Sequence, residues 1–220
     1  MKVPSKTAET DANLSCQSSE FVWGRAGLSK AHGYLLPTIV RWLKQAGARV
    51  VLDLGCGNGA VAAALAAEGY EMTGLDVSES GIAIAARSYP GIPFIQADLS
   101  APLPAPLRER FDSVLAVEVV EHLLLPRCLF ERAREALCPN GAFIVTTPYH
   151  GFWKNVALAL TNQLDDHWHP LRDYGHVKFF SRATLSRLFA EQGLPIRRFK
   201  RVGRIAPLAK SMIAQGTYAP

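Results

Sequence analysis

The sequence predicts a three-layer α/β fold in which a mostly parallel sheet of six or seven strands is covered by helices on both faces. Three observations carry this. After residue 20, apolar segments alternate with helical ones in a regular β-α-β-α rhythm. The strand candidates are short and apolar, without the polar alternation of a half-exposed sheet. The earliest of them runs through three closely spaced glycines into a helix, as a ligand-binding strand of such a sheet does.

Taken in order, the first helix is expected from Ser29 to Gln45, with Leu35, Val40 and Leu43 on one face and Gly47 ending it. Strands are expected at Arg49–Asp53, Glu71–Leu75, Pro93–Ala97, Phe111–Val117 and Ala142–Thr146. Helices fit between them at Ala60–Glu68, Glu79–Ser88 and Arg127–Leu137. Ser78 is placed to cap the second, and Pro139-Asn140-Gly141 forms the turn out of the third. Gly151–Asn162 reads as an inserted helix, Gln163–Lys178 as a segment rich in His, Asp and aromatic residues, and Ser181–Gln192 as a capped helix. Gly203–Pro220 lacks an obvious final hairpin strand, which leaves a seventh strand open.

Composition narrows the class. A chain of 220 residues that is 49% hydrophobic can bury one domain's core without disulfides or metal. Residues 1–20 are polar and mixed in charge, so a disordered N-terminal segment is expected ahead of one domain over 21–220, with no secretory or membrane-spanning pattern and a cytoplasmic location. Cys16, Cys56, Cys128 and Cys138 lack metal-ligand spacing and are expected as free thiols. The net charge of +5 is a C-terminal feature: residues 181–210 hold eight Arg or Lys against Glu191 alone. That run lacks a nucleic-acid reading motif and is taken as a solvated basic face.

The informative stretch is Val50–Ala60, VVLDLGCGNGA. A dinucleotide site is excluded by spacing, since Gly55, Gly57 and Gly59 give G-x-G-x-G where that fingerprint is G-x-G-x-x-G. Asp53 argues the same way. A carboxylate beside the turn repels a pyrophosphate and attracts an ammonium or a sulfonium. Asp76, 21 residues after Gly55, can accept both hydroxyls of a ribose, and Asp98 or its neighbouring backbone can receive an exocyclic amine. In open α/β sheets such strand ends gather where strand order reverses.

The segments LDLGCGNG, GLDVS, QADL, FDSVLAVEVVEHL and LCPNGAFIVTTP resemble successive motifs of the class I methyltransferases that use S-adenosylmethionine (SAM), and so imply a Rossmann-like class I methyltransferase fold. Within that superfamily, VEVVEHL, TTPYHGFWKN and GHVKFF are most similar to the small-molecule group around the ubiquinone-biosynthesis O-methyltransferases. The resemblance implies SAM as cofactor. It places Gly55, Cys56 and Gly57 at the methionine end, Asp76 and Val77 at the ribose, Asp98 and Leu99 at the adenine, and Val117 on the site floor, with Tyr34 contributing from the first helix.

Methyl transfer is an in-line displacement, so the protein must align an acceptor and, for a hydroxyl, remove a proton. His122 is the first candidate base and His150 the second; the alternative for His122 is anchoring its loop. The residues by themselves indicate no metal. The resemblance implies divalent metal on Glu118, Glu121 and His122, whose spacing would share one helical face. Phe152–Leu160 reads as a lid helix, a core helix, or peripheral membrane contact over 152–160, within a substrate-lid insertion at about 149–178. The expected reaction is methylation of a hydroxyl on a small-molecule acceptor, with N-methylation as the alternative. A nucleic-acid substrate ranks below both.

Overall fold

Apolar strands too buried to be left half-covered dictate the layers of this protein. The computed structural model describes residues 22–168 and 170–218, so the expected disorder of residues 1–20, and Cys16 and His169, lie outside the described residues. The strands are β1 (Val50–Leu54), β2 (Glu71–Asp76), β3 (Phe94–Gln96), β4 (Phe111–Val117), β5 (Leu137–Pro148), β6 (Ile196–Val202) and β7 (Ser211–Thr217). They form one sheet in the order β3-β2-β1-β4-β5-β7-β6. The first five are parallel, and β7 runs antiparallel to both β5 and β6. Strand order reverses between β1 and β4, which opens a crevice at their carboxyl ends.

The pleat divides the core. Leu52 and Leu54 of β1, Val114 and Ala116 of β4, and Phe143 and Val145 of β5 enter one cluster. Val51, Leu115, Val117 and Ile144 point to the other face. There α1 (His32–Ala46) and α2 (Ala60–Ala67) add Leu35, Ile39, Leu43, Val61 and Leu65. On the first face, α4 (Pro126–Ala136) and α7 (Arg182–Glu191) bring Phe130 and Phe189 against Phe143; Phe130 meets both rings edge-on at 5.1 and 4.8 Å. The remaining helices are α3 (Glu79–Ser88), α5 (Phe152–Leu160) and the short α6 (Leu164–Trp168).

Several boundaries differ from the sequence expectation. α1 starts three residues later than Ser29, and its buried face is Leu35, Thr38, Ile39, Trp42 and Leu43, with Val40 only half-buried. Pro139-Asn140-Gly141 is a bulge inside β5 where a turn was expected. Asn140 takes φ 65° and its N–H donates to the Tyr218 carbonyl, so antiparallel pairing to the C-terminal segment recruits the residues into the sheet. The same pairing settles the seventh strand. Gly203 and the 3-10 turn Ala206–Leu208 reverse the chain after β6, and a segment without a local strand signature becomes β7 by inserting between β5 and β6. α6 interrupts what reads as an irregular polar loop.

Candidate functional site

The glycine turn after β1 shapes the first cavity. Gly55 and Gly57 have φ of 78° and 52°, a region L-residues rarely adopt. A Cβ on Gly55 would come within 2.6 Å of Val119 Cγ2, and one on Gly57 would overlap the Trp23 indole. Asp76 fixes the turn: its Oδ2 accepts from Gly57 N–H at 2.7 Å and its Oδ1 from Ser78 N–H at 2.8 Å. Ser78 also caps α3, as its position in sequence implies.

A strap formed by residues 22–31 lies across the turn. Asn58 Nδ2 donates to the carbonyls of Arg25 at 2.9 Å and Gly27 at 3.1 Å, and Trp23 N–H donates to Ser80 Oγ. Opposite, the chain around Tyr174 is pinned over the 3-10 turn Val120–His122, with Val177 and Lys178 N–H both donating to the Glu121 carbonyl. Strap, turn and loop enclose a cavity of about 400 Å³. Asp53, Gly55, Cys56, Asp76, Val77, Val117 and His122 line it, joined by Trp23, Asn58, Glu118, Arg172 and His176.

Asp53 is the electrostatic centre of this cavity. It is 1% exposed, and neither carboxylate oxygen has a hydrogen-bond partner among the described residues. Burial, reinforced by the charge of Asp76, pushes its pKa up to about 7. A buried carboxylate left unpaired is costly. A cation arriving in the cavity offsets that cost, so the site suits the positively charged end of SAM. Cys56 is inert beside it, because burial and then the two carboxylates push its thiol well up.

Other expected site residues fall elsewhere. Asp98 lies two residues past β3, accepts from Ser100 N–H, and does not line the cavity. Leu99 is buried in the core. Gly57 contributes its N–H to Asp76 beneath the cavity. Tyr34 lines a second cavity of about 410 Å³, where its hydroxyl lies 3.3 Å from Ser211 Oγ. His150 lines neither cavity; it packs against Phe179 and His167, and burial, with nearby Lys154 and two histidines, pushes its pKa down to about 3.

The two cavities share Glu118 and His176. Glu118 sits at φ 56°, outside the 3-10 turn, so Glu118, Glu121 and His122 do not share one helical face as their spacing suggests. Glu118 Oε1 accepts from Thr146 Oγ1 at 3.0 Å, and Ser211 Oγ lies 3.5 Å from its Oε2. Burial pushes its pKa up to about 7 against those hydrogen bonds and the charge of Lys154. His122 Nδ1 lies 3.2 Å from the Gly175 carbonyl, which can only accept. Burial lowers the His122 pKa, against backbone hydrogen bonds at Gly175 and Tyr174 that raise it.

Donor atoms of Glu121, His122 and His176 lie within 4.8 Å of one another. The Glu121 carboxylate is buried without a hydrogen-bond partner among the described residues, and His176 Nε2 is 4.0 Å away. This donor set fits a divalent cation, with His176 in the place that the resemblance assigns to Glu118. Sequence reasoning left Trp23, Asn58 and His176 out of the site. Asn58 stands inside the glycine turn itself, between Gly57 and Gly59; the strap and loop that deliver Trp23 and His176 have no periodic pattern, and only the clustering of His and Asp in 163–178 was a signal for the latter.

Comparison with known proteins agrees with this geometry. A methyltransferase domain family model matches residues 28–198. A ubiquinone biosynthesis O-methyltransferase of Bradyrhizobium diazoefficiens is 34% identical over 162 residues, covering 71% of this chain and 62% of that protein. Another, of Azorhizobium caulinodans, is 35% identical over 147 residues, covering 65% and 56%. The chain thus spans less than two thirds of the length of these relatives. Magnesium protoporphyrin IX methyltransferase of Synechocystis PCC 6803, solved with bound SAH, superposes with a TM-score of 0.65 at 18% identity, over 89% of this chain and 90% of that one. With its sheet order, its glycine turn and a family match over most of its length, the chain belongs to the class I SAM-dependent methyltransferase domains.

Proposed function

We propose that this protein methylates a hydroxyl of a small-molecule acceptor, with the methyl donor in the first cavity and the acceptor in the second. The observation that carries this reading is that the cavities meet at Glu118 and His176. When bound, SAM supplies an electrophilic methyl group and leaves as the thioether. Asp53 faces its positive end, and Asp76 and Val77 its ribose. The fold's own residues then align the acceptor oxygen and take its proton as the oxygen–carbon bond forms.

Two groups are placed for that proton. Glu118 lines both cavities, and His122 stands in the wall of the first. Glu118 is favoured because it alone of the two reaches the acceptor side; His122 then positions the loop through Gly175. Where a divalent cation is present, Glu121, His122 and His176 would hold it, and it would polarise an acceptor oxygen. Lys154, Leu158, Thr161, Gln163, His167 and His176 wall the acceptor cavity from one side, which supports the segment at about 149–178 as its lid. α5 exposes Phe152, Trp153 and Leu160, at 70%, 66% and 83%, which supports contact with a lipid surface from a cytoplasmic location. Among the described residues no helix is long and apolar enough to cross a membrane.

A nucleic-acid acceptor is disfavoured because basic residues near the C-terminus are engaged within the fold: Arg198 with Gln45, Lys200 with Thr38, and Arg201 with Tyr149 and the Ala206 carbonyl. The deciding experiment compares Glu118→Gln and His122→Ala, measuring SAM affinity by calorimetry and turnover on a catechol probe. Glu118→Gln is expected to keep SAM affinity and lose about a hundredfold or more in turnover. If His122→Ala alone shows that separation, the base is His122. If neither does, the assignment of proton removal to this junction is wrong.

A further inference from the structure

The second cavity is charged in a way the methyl-transfer chemistry does not call for. Lys154 projects into it from the first turn of α5, only 8% exposed, while Arg204 and Lys210 stand at its rim. A cation in the first turn opposes the helix macrodipole, and α5 has no side-chain N-cap to offset it. None of these three residues forms an ion pair among the described residues. Lys154 Nζ donates to the Lys210 carbonyl at 3.4 Å, and the charge of Glu118 acts on it without forming an ion pair among the described residues. Glu118 is the single acid lining the cavity; the other polar lining groups, Tyr34, Thr161, Gln163, Ser211 and two histidines, bear no fixed charge. Asp165 and Asp166 lie on the neighbouring α6 but do not line it.

Three positive groups converging on one concavity repel one another, and the repulsion is strongest for the buried one. Burial and then the charge of Arg204 bring the Lys154 pKa down to about 8. Neither core packing nor helix stability explains a lysine kept here. An oxyanion entering the cavity would relieve the repulsion and pair the buried ammonium.

Building on the reading of this cavity as the acceptor site, we propose that it selects acceptors bearing an oxyanion group, with Lys154, Arg204 and Lys210 as its counter-ions. The anion occupies the Lys154 end, and the hydroxyl to be methylated the Glu118 and His176 end.

The test is equilibrium binding of two probes, 3,4-dihydroxybenzoate and catechol, to the full chain with S-adenosylhomocysteine present. The carboxylated probe is expected to bind at least about tenfold tighter, as a charge-assisted hydrogen bond implies. In Lys154→Met, and independently in the rim variant Arg204→Gln, that ratio is expected to shrink, in the former to within about twofold. Equal affinity for the two probes in the wild-type chain, binding of neither, or a ratio that survives both substitutions overturns the proposal. Because binding is read without turnover, a chain that prefers the carboxylated probe yet methylates neither leaves this inference standing and removes the O-methylation reading. A chain that methylates catechol without preference does the reverse.

Discussion

Asp53 is a buried carboxylate with no partner in the described fold, and its consequences run with pH. Its pKa of about 7 in the ligand-free protein must fall when the cationic end of SAM binds, so binding releases a proton below pH 7. SAM affinity is therefore expected to be constant above about pH 8 and to weaken by up to about tenfold per pH unit below 7. Asp53→Asn should bind SAM weakly and without that dependence in calorimetric titrations across pH 5.5–8.5. The same variant should be more stable than the wild type without ligand at pH 8. There the wild-type carboxylate is ionised and buried, and the gap in thermal midpoint should narrow towards pH 5 as it protonates. Asp76→Ala should weaken SAM binding by roughly 1.5–3 kcal/mol. Because Asp76 also holds Gly57 and Ser78, part of that loss belongs to a loosened turn. At this scale the sequence was most legible where chemistry and backbone coincide. Glycine spacing and the acids towards the ends of β1 and β2 pointed to Asp53, Gly55 and Asp76, and all three line the first cavity. It was least legible where a side chain arrives from a distant, aperiodic loop, as His176 does, or where a local backbone twist redirects one, as φ 56° does for Glu118.

The parallel strands and the helices between them could be read from hydrophobic pattern because their cores are local and repetitive. β7 could not, since what makes it a strand is the partner on each side: seven residues from Ser211 to Thr217 pair with β5, and Ile213 and Ala214 supply core only once that pairing exists. The bulge at Asn140 hides for the same reason, because its Pro and Gly signal a turn until the C-terminal segment pairs with them. The contact that ties α4 and α7 to the sheet is the cluster of Phe130, Phe143 and Phe189. Phe130→Ala should cost about 3–5 kcal/mol in denaturant unfolding, with SAM affinity at saturating stability little changed. A loss under about 1 kcal/mol would mean the helices are held some other way. For α5, exposed Trp153 is expected to insert into vesicles containing anionic lipid, with a blue-shifted emission that Trp153→Asp and Phe152→Asp abolish. Unchanged vesicle binding in the double variant would remove α5 from the lipid contact.

The whole molecule places two chemically different cavities side by side, the first on the crevice where strand order reverses: one centred on an unpaired carboxylate, the other rimmed by cations, with Glu118 and His176 common to both. That arrangement makes one claim above the rest, that a methyl group passes from the first cavity to an oxygen held in the second. The direct measurement supplies SAM labelled with carbon-13 in its methyl group, together with 3,4-dihydroxybenzoate, and identifies by NMR the atom that receives the label. A labelled methyl ether on a ring hydroxyl is expected, formed in proportion to S-adenosylhomocysteine released and suppressed about a hundredfold or more in Glu118→Gln. Label recovered on nitrogen when an aminophenol is offered in competition, or ether formation indifferent to Glu118 and His122 alike, would contradict it.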